Sequence, residues 1–347
     1  MGKQPLADKE TDRRSYIIAR MEPGAFATTL APLLAGIIST VMMVVLLRSR
    51  SLPLDKPNVR SLHVEPVPRT GGIAIVAGLI AAALWLRTSP SLLVPAVALA
   101  VASYFDDRRA LPAAGRLAMH LVAAGIFLWL DAGTSGVLLL VVLWLAIAWI
   151  TNLYNFMDGS DGLAGGMTVI GFGTYGVAAW LGGNRELELL AWSIAATAAG
   201  FLIFNFPPAK IFMGDVGSIP QGFLAGAFGV AGWGQGLWPV WFPLVVFAPF
   251  IVDASATLAR RLLRRERFWE AHRQHYYQRL ILSGWSHRKT ALFEYALMLI
   301  CGAAAILCLR ASPVARSIVV SVLAALIATT MWAIDHRWRR FSAAAHD

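Results

Sequence analysis

The chain has 347 residues, of which 57% are hydrophobic and only 14% charged, against about 25% charged in ordinary soluble domains. That balance excludes a soluble globular or a disordered protein and points to a polytopic membrane protein. The net charge of +10 then reads as loops that meet anionic headgroups and anionic substrates, with nucleic acid a poor second explanation.

A membrane-spanning helix needs about 20 apolar residues. On that rule the sequence predicts an all-α fold with spans near 25–47, 71–88, 90–105, 117–131, 136–152, 167–182, 188–205, 219–233, 238–257, 291–310 and 313–334. That is eleven spans, or ten if one of the short segments 90–105 and 219–233 fails to cross. Residues 1–24 are a polar tail without the pattern of a cleavable signal peptide, residues 25–336 a single membrane-embedded domain, and residues 337–347 a basic tail. The loops 48–70, 106–116, 152–166, 205–218 and 258–290 fall on one side. Together with the basic tail they hold 21 of the 30 lysines and arginines, which makes that side cytoplasmic by the positive-inside rule. Five of the others, Lys3, Lys9, Arg13, Arg14 and Arg20, lie in the N-terminal tail on the opposite side, against the rule. Asp8, Glu10, Asp12 and Glu22 offset them. Cys301 and Cys308 are seven apart on one predicted helix, roughly 10 Å of rise, too far for an unstrained disulfide.

The polar loops carry the chemistry. Asp55 to Gly72 is stiffened by prolines and holds Arg60, His63 and Arg69; alone it reads equally as an ordinary basic loop. Asp106 and Asp107 close a helix at the unfavourable end of its dipole, so they need a cation or basic neighbours such as Arg108, Arg109 and Arg116. Between two apolar runs lies Asn152 to Gly166, N-L-Y-N-F-M-D-G-S-D-G-L-A-G-G, where Gly159 and Gly162 let one turn aim Asp158 and Asp161 the same way. Such a pair suits a hydrated Mg²⁺ or a phosphorylated substrate. In Asn205 to Ser218, Asp215 sits between glycines that permit close approach of a phosphate or metal, or merely form a turn. Arg260 to Lys289 holds Arg264, Arg265, His272 and His275; if helical, the two histidines share a face. The alternative is an interfacial helix with Trp269, Tyr276 and Tyr277 at headgroup depth. Oxygen donors suit Mg²⁺ better than these imidazoles.

These motifs, F-D-D with Arg116 downstream, N-F-M-D-G-S-D-G-L-A and F-M-G-D-V-G-S, supported by R-S-L-H-V-E-P-V-P-R-T-G-G and P-F-I-V-D, resemble the polyprenyl-phosphate N-acetylhexosamine-1-phosphate transferases. That family includes the phospho-MurNAc-pentapeptide translocase and the GlcNAc-1-phosphate transferases that start O-antigen. The resemblance runs from about Asp55 to Arg279. It implies a catalytic domain in the bacterial inner membrane facing the cytoplasm, Mg²⁺ (or Mn²⁺) held chiefly by Asp215, and essential Asp106, Asp107, Asp158 and Asp161. It further implies a UDP-N-acetylhexosamine and polyprenyl phosphate as substrates. The charge pattern predicts no nucleic-acid partner, and the sequence leaves the oligomeric state open, a homodimer among the options. Where the family often has H-I-H-H or H-H-H, this chain has H-R-Q-H-Y-Y-Q-R-L, closer to the subgroup that starts O-antigen from modified amino sugars. That departure leaves the roles of His272 and His275 open; they are kept as catalytic candidates that neutralise phosphate charge. His63, Arg69, Asn152, Asn155, Arg116, Lys210, Arg264 and Arg265 are expected to bind substrate. A transporter or lipid flippase for anionic cargo is the rival; transporters bind near the midplane on broken helices, whereas these acids cluster in loops.

Overall fold

The computed structural model describes residues 27–49, 52–57, 61–109, 111–131, 136–267 and 272–344. The N-terminal tail, Arg60 and Trp269 lie outside the described residues. In chain order the helices are α1 (Ala31–Arg48), α2 (Gly71–Leu86), α3 (Pro90–Arg109), α4 (Ala113–Asp131), α5 (Val137–Met157), α6 (Leu163–Leu181) and α7 (Arg185–Asn205). There follow α8 (Asp215–Gly234), α9 (Trp241–Val246), α10 (Ala248–Leu263), α11 (Tyr276–Leu282), α12 (His287–Leu309) and α13 (Pro313–Ala344). The all-α expectation holds apart from one minimal ladder, in which β1 (Leu54–Asp55) pairs antiparallel with β2 (Val67–Pro68).

Every predicted span falls on a helix, but eleven crossings are not confirmed. Among the described residues, six helices are long and apolar enough to cross a membrane: α1, α4, α5, α7, α12 and α13. The others fall short for readable reasons. α3 ends in two aspartates and two arginines, and α6 and α8 are diluted by glycines that let helices pack closely inside the bundle. The predicted span 238–257 is broken into α9 and α10 at Phe247, because Pro249 in the first turn of α10 has no N–H to continue the ladder from α9. The basic tail is not separate: α13 runs on to Ala344. Its extension is held by Asp335, which pairs with Arg260 and Arg279 at 2.6 Å each, and by Arg337, whose Nε donates to Ser283 at 2.9 Å.

The core has two parts that position the site. At one end Phe172, Tyr175, Phe228, Trp238, Phe242 and Phe247 interlock, with the Tyr175 hydroxyl donating to the Ala225 carbonyl at 2.8 Å. At the other end, α2 and α8 meet backbone to backbone. The N–H groups of Gly71 and Gly72 donate to the carbonyls of Phe212 and Met213 at 2.9 and 2.8 Å. A Cβ added to Gly72 would lie 2.2 Å from the Gly217 nitrogen. Only a glycine allows that approach, and it fixes the start of α8, hence Asp215, against the loop that carries Arg69.

Candidate active site

Three short segments meet at the glycine-rich end of the bundle. α5 runs five residues further than expected, to Met157, so Asn152 and Asn155 sit on its last turns and the true loop is only 158–162. Asp158 is the residue that closes α5, and Gly162, at φ +77°, opens α6. α7 stops at Asn205 because Pro207 and Pro208 cannot extend it. Asn205 then welds the two loops: its Oδ1 accepts from Gly162 N at 2.8 Å and its Nδ2 donates to the Ile211 carbonyl at 2.9 Å. Asp161 Oδ2 accepts from Ala209 N at 3.0 Å, and the Tyr295 hydroxyl donates to the Gly162 carbonyl at 2.7 Å. Gly214, at φ +69°, turns the chain into α8, which begins at Asp215. A helix N-terminus is a favourable place for an anion.

These segments border one cavity of about 1380 Å³. It is lined by Asp106, Asp107, Asp158, Asp161, Asp215, Asn152, Asn155, His63, Arg69, Arg116, His272 and His275, so most of the residues singled out from the sequence come together. Three do not. Lys210, Arg264 and Arg265 are exposed and outside the lining. α10 ends at Leu263, and Arg265 adopts φ +57°, a left-handed turn just past the helix end. Lys210 lies on the outer side of the Asn205–Ile211 turn.

The acids are unequally compensated. Asp106 is buried; its Oδ2 lies 2.6 Å from Arg116 Nε and its Oδ1 accepts from Leu111 N at 2.6 Å. Asp107 meets Arg69 at 3.2 Å, which meets the expectation of basic neighbours; the side chains of Arg108 and Arg109 lie outside the described residues. Asp158 and Asp215 form no ion pair among the described residues. Asn155 accepts from the Ser218 hydroxyl at 2.7 Å and hydrogen-bonds Asp215. Burial, then the Asp215 charge, pushes Asp107 up to about 6. Asp158 is raised well above the usual carboxylate range by burial and by Asp215. Asp215 is raised by burial, against the opposing pull of Arg116.

The histidine segment is not helical at His272, which contradicts the shared helical face. His275 caps α11, and the two rings still lie 4.9 Å apart. Asp253 organises this end: its carboxylate accepts from His275 Nδ1 at 3.1 Å, Tyr276 N at 2.9 Å and Tyr277 N at 3.1 Å. Tyr276 and Tyr277 are buried inside the bundle and do not face outward from an interfacial helix. Burial, then the neighbouring His275 and Arg261, lowers His272 to about 4, so it meets a substrate as a neutral imidazole.

Two lining histidines escaped the sequence reading. His287 Nδ1 lies 3.1 Å from Ser160 Oγ and 3.6 Å from Asp161 Oδ1, and its Nε2 lies 3.3 Å from the Leu62 carbonyl, so it ties the 158–162 loop to the 55–72 loop. Its signal was Ser286, the cap of α12. His120 is buried on α4, and neither ring nitrogen has a partner. An unsatisfied buried polar group costs about 1–3 kcal/mol.

The donor set fits a divalent cation of the Mg²⁺ kind. The lining has six carboxylates against two guanidinium groups, an excess of acid that a bound cation can offset. Among the described residues no three His, Cys, Asp or Glu side chains form a ready-made cage. Mg²⁺ uses one or two carboxylates with water and substrate phosphates instead. The other wall is apolar: Leu117 and Leu121 of α4 face Leu145, Ala148 and Trp149 of α5.

Residues 89–232 match the sequence model of glycosyl transferase family 4. A Bacillus subtilis (strain 168) protein named "Probable undecaprenyl-phosphate N-acetylglucosaminyl 1-phosphate transferase" is 33% identical over 264 residues, covering 70% of this chain and 73% of that one. A Mycobacterium leprae decaprenyl-phosphate N-acetylglucosaminephosphotransferase is 29% identical over 302 residues, covering 73% and 76%. A Levilactobacillus brevis phospho-N-acetylmuramoyl-pentapeptide-transferase is 40% identical over a shorter 107 residues, 31% and 32%. With a relative this similar over most of both chains, and the motifs gathered at one cavity, the chain belongs to glycosyl transferase family 4 and is a membrane-embedded transferase.

Proposed function

We propose that the chain transfers N-acetylhexosamine 1-phosphate from a UDP-sugar to polyprenyl (undecaprenyl) phosphate, as the first membrane step of O-antigen or another cell-envelope glycan. An oxygen of the lipid phosphate attacks the β-phosphorus of the UDP-sugar. The bond from that phosphorus to the bridging oxygen breaks, and UMP leaves with the oxygen. The observation that carries this reading is one cavity with a carboxylate-rich pole and an apolar wall, which matches a donor that is polar throughout and an acceptor that is an amphiphile. The relatives, named for polyprenyl phosphates and N-acetylglucosamine phosphate, support it. The cavity then faces the cytoplasm of a bacterial inner membrane, where sugar nucleotides are made.

Asp215, with Asp107 and Asp158 beside it, would hold Mg²⁺, for which Mn²⁺ can substitute; when bound, the ion supplies the charge that offsets the diphosphate oxygens and the departing UMP. Asn155 orients Asp215. Arg116 and Arg69 serve twice, as partners of Asp106 and Asp107 and as donors toward phosphate oxygens. His275, fixed by Asp253, and neutral His272 contribute hydrogen bonds, and His63, Asn152 and Asp161 shape the nucleotide and sugar end. No strict general base is required, because a phosphomonoester with second pKa near 6 is mostly dianionic at pH 7. Positioning and charge offset therefore carry the rate.

Purified protein given UDP-GlcNAc, UDP-GalNAc and deoxy amino-sugar analogues with a short polyprenyl phosphate should use one or more of them, and inertness toward the whole panel would refute the reading. Labelled UDP-sugar without lipid tests direct attack: no UMP is expected, whereas a single-turnover burst would mean an aspartyl-phosphate intermediate.

A further inference from the structure

His120 sits four residues beyond Arg116 on α4, so the two share a helix face about 6 Å apart along the axis. Its ring is 1% exposed and borders the cavity, with both nitrogens unpaired. Three other histidines of the lining are engaged through both ring nitrogens or held by a carboxylate: His63 by Asp55 and the Glu65 carbonyl, His275 by Asp253, and His287 by Ser160 and the Leu62 carbonyl. His120 therefore offers a free donor and a free acceptor where the lining changes character. On one side lies Arg116, paired with Asp106. On the other, Leu117, Leu145 and Trp149 are 47%, 52% and 38% exposed and open the cavity on the flank of the bundle.

A molecule that spans this seam has a polar head and a hydrocarbon tail. We infer that His120 is a binding residue for the lipid acceptor: its imidazole N–H donates to the phosphate of polyprenyl phosphate while the first isoprene units lie against Leu117, Leu121, Leu145 and Trp149. This rests on the transfer reaction proposed above. A sugar nucleotide, polar along its whole length, has no use for the apolar side of the seam, so the assignment separates acceptor from donor.

The full-length protein in detergent, with each substrate varied at saturating levels of the other, supplies the test. His120→Leu, which fills the volume without a donor, should raise the KM for polyprenyl phosphate about tenfold, or about 1.4 kcal/mol. The KM for the UDP-sugar should stay within about twofold and the Tm should not fall. His120→Gln, which restores an N–H, should recover most of the loss. Polyprenyl phosphate alone should raise the Tm of the parent protein and of His120→Gln but not of His120→Leu, a readout that survives even if no transfer is found with the parent. An unchanged lipid KM and an unchanged lipid-induced Tm rise in His120→Leu would overturn the assignment, as would an equal rise in both KM values. A total absence of transfer by the parent would count against the reaction, separately from the lipid site.

Discussion

Asp215 and Asp158 hold the least compensated charge in the cavity, and the behaviour of single side chains follows from that. Asp215→Asn should lower kcat below about a tenth of the parent value at saturating Mg²⁺ with normal protein levels; more residual activity would remove it from the ligand role. Asp107, pushed up to about 6, sets two pH effects. Mg²⁺ affinity, measured by titrating metal into the metal-free protein, should weaken as pH drops through about 6, because the protonated carboxyl offers no charge to a cation. Stability moves the other way. A carboxyl raised above its unfolded value of about 3.9 favours the folded state fully below that value and loses the contribution as pH rises through about 6. Metal-free Asp107→Asn should therefore melt above the metal-free parent at pH 8 and level with it at pH 4, and a constant difference would contradict this. The five acids were legible because carboxylates gathered at helix ends have no role in an apolar bundle, and three of them, Asp158, Asp161 and Asp215, stand beside glycines. Arg264 and Arg265 fall outside the lining, which the sequence did not show because a basic run does not reveal which of its side chains face a cavity. His120 and His287 were hidden, since one histidine in an apolar or basic stretch carries no pattern.

The elements are placed by contacts too close for any side chain. Gly72→Ala puts its Cβ against the Gly217 backbone, so α2 and α8 must part and move Asp215. Overpacking of this kind costs about 1–3 kcal/mol. A lower Tm together with a lower kcat is expected, whereas Gly173→Ala, whose Cβ would meet only the Trp192 ring at 3.7 Å, should cost nothing; equal Tm values for the two variants would refute the close-contact account. Asp253→Ala leaves the N–H groups of Tyr276 and Tyr277 and the His275 ring without their acceptor. It should lower the Tm and, through His275, the kcat. Apolar runs announced most of these helices. They did not announce the break at Phe247, where Pro249 was visible but its position in a helix was not, nor the five extra residues of α5, because Asn152 and Asn155 look like loop residues until they are seen facing a cavity.

At the scale of the whole molecule, the bundle holds a polar cavity with an apolar flank, and its chemistry needs no sealed compartment. Activity in detergent, where no gradient or sidedness exists, separates a transferase from a transporter. The most direct measurement identifies the nucleotide released when purified protein, Mg²⁺, UDP-GlcNAc or another accepted UDP-amino sugar, and undecaprenyl phosphate are incubated in detergent. The account predicts UMP in equal amount to a lipid-linked sugar diphosphate, with both lost in Asp215→Asn. Release of UDP, which leaves the sugar's phosphate behind, or UMP formation undiminished by that substitution, would contradict it.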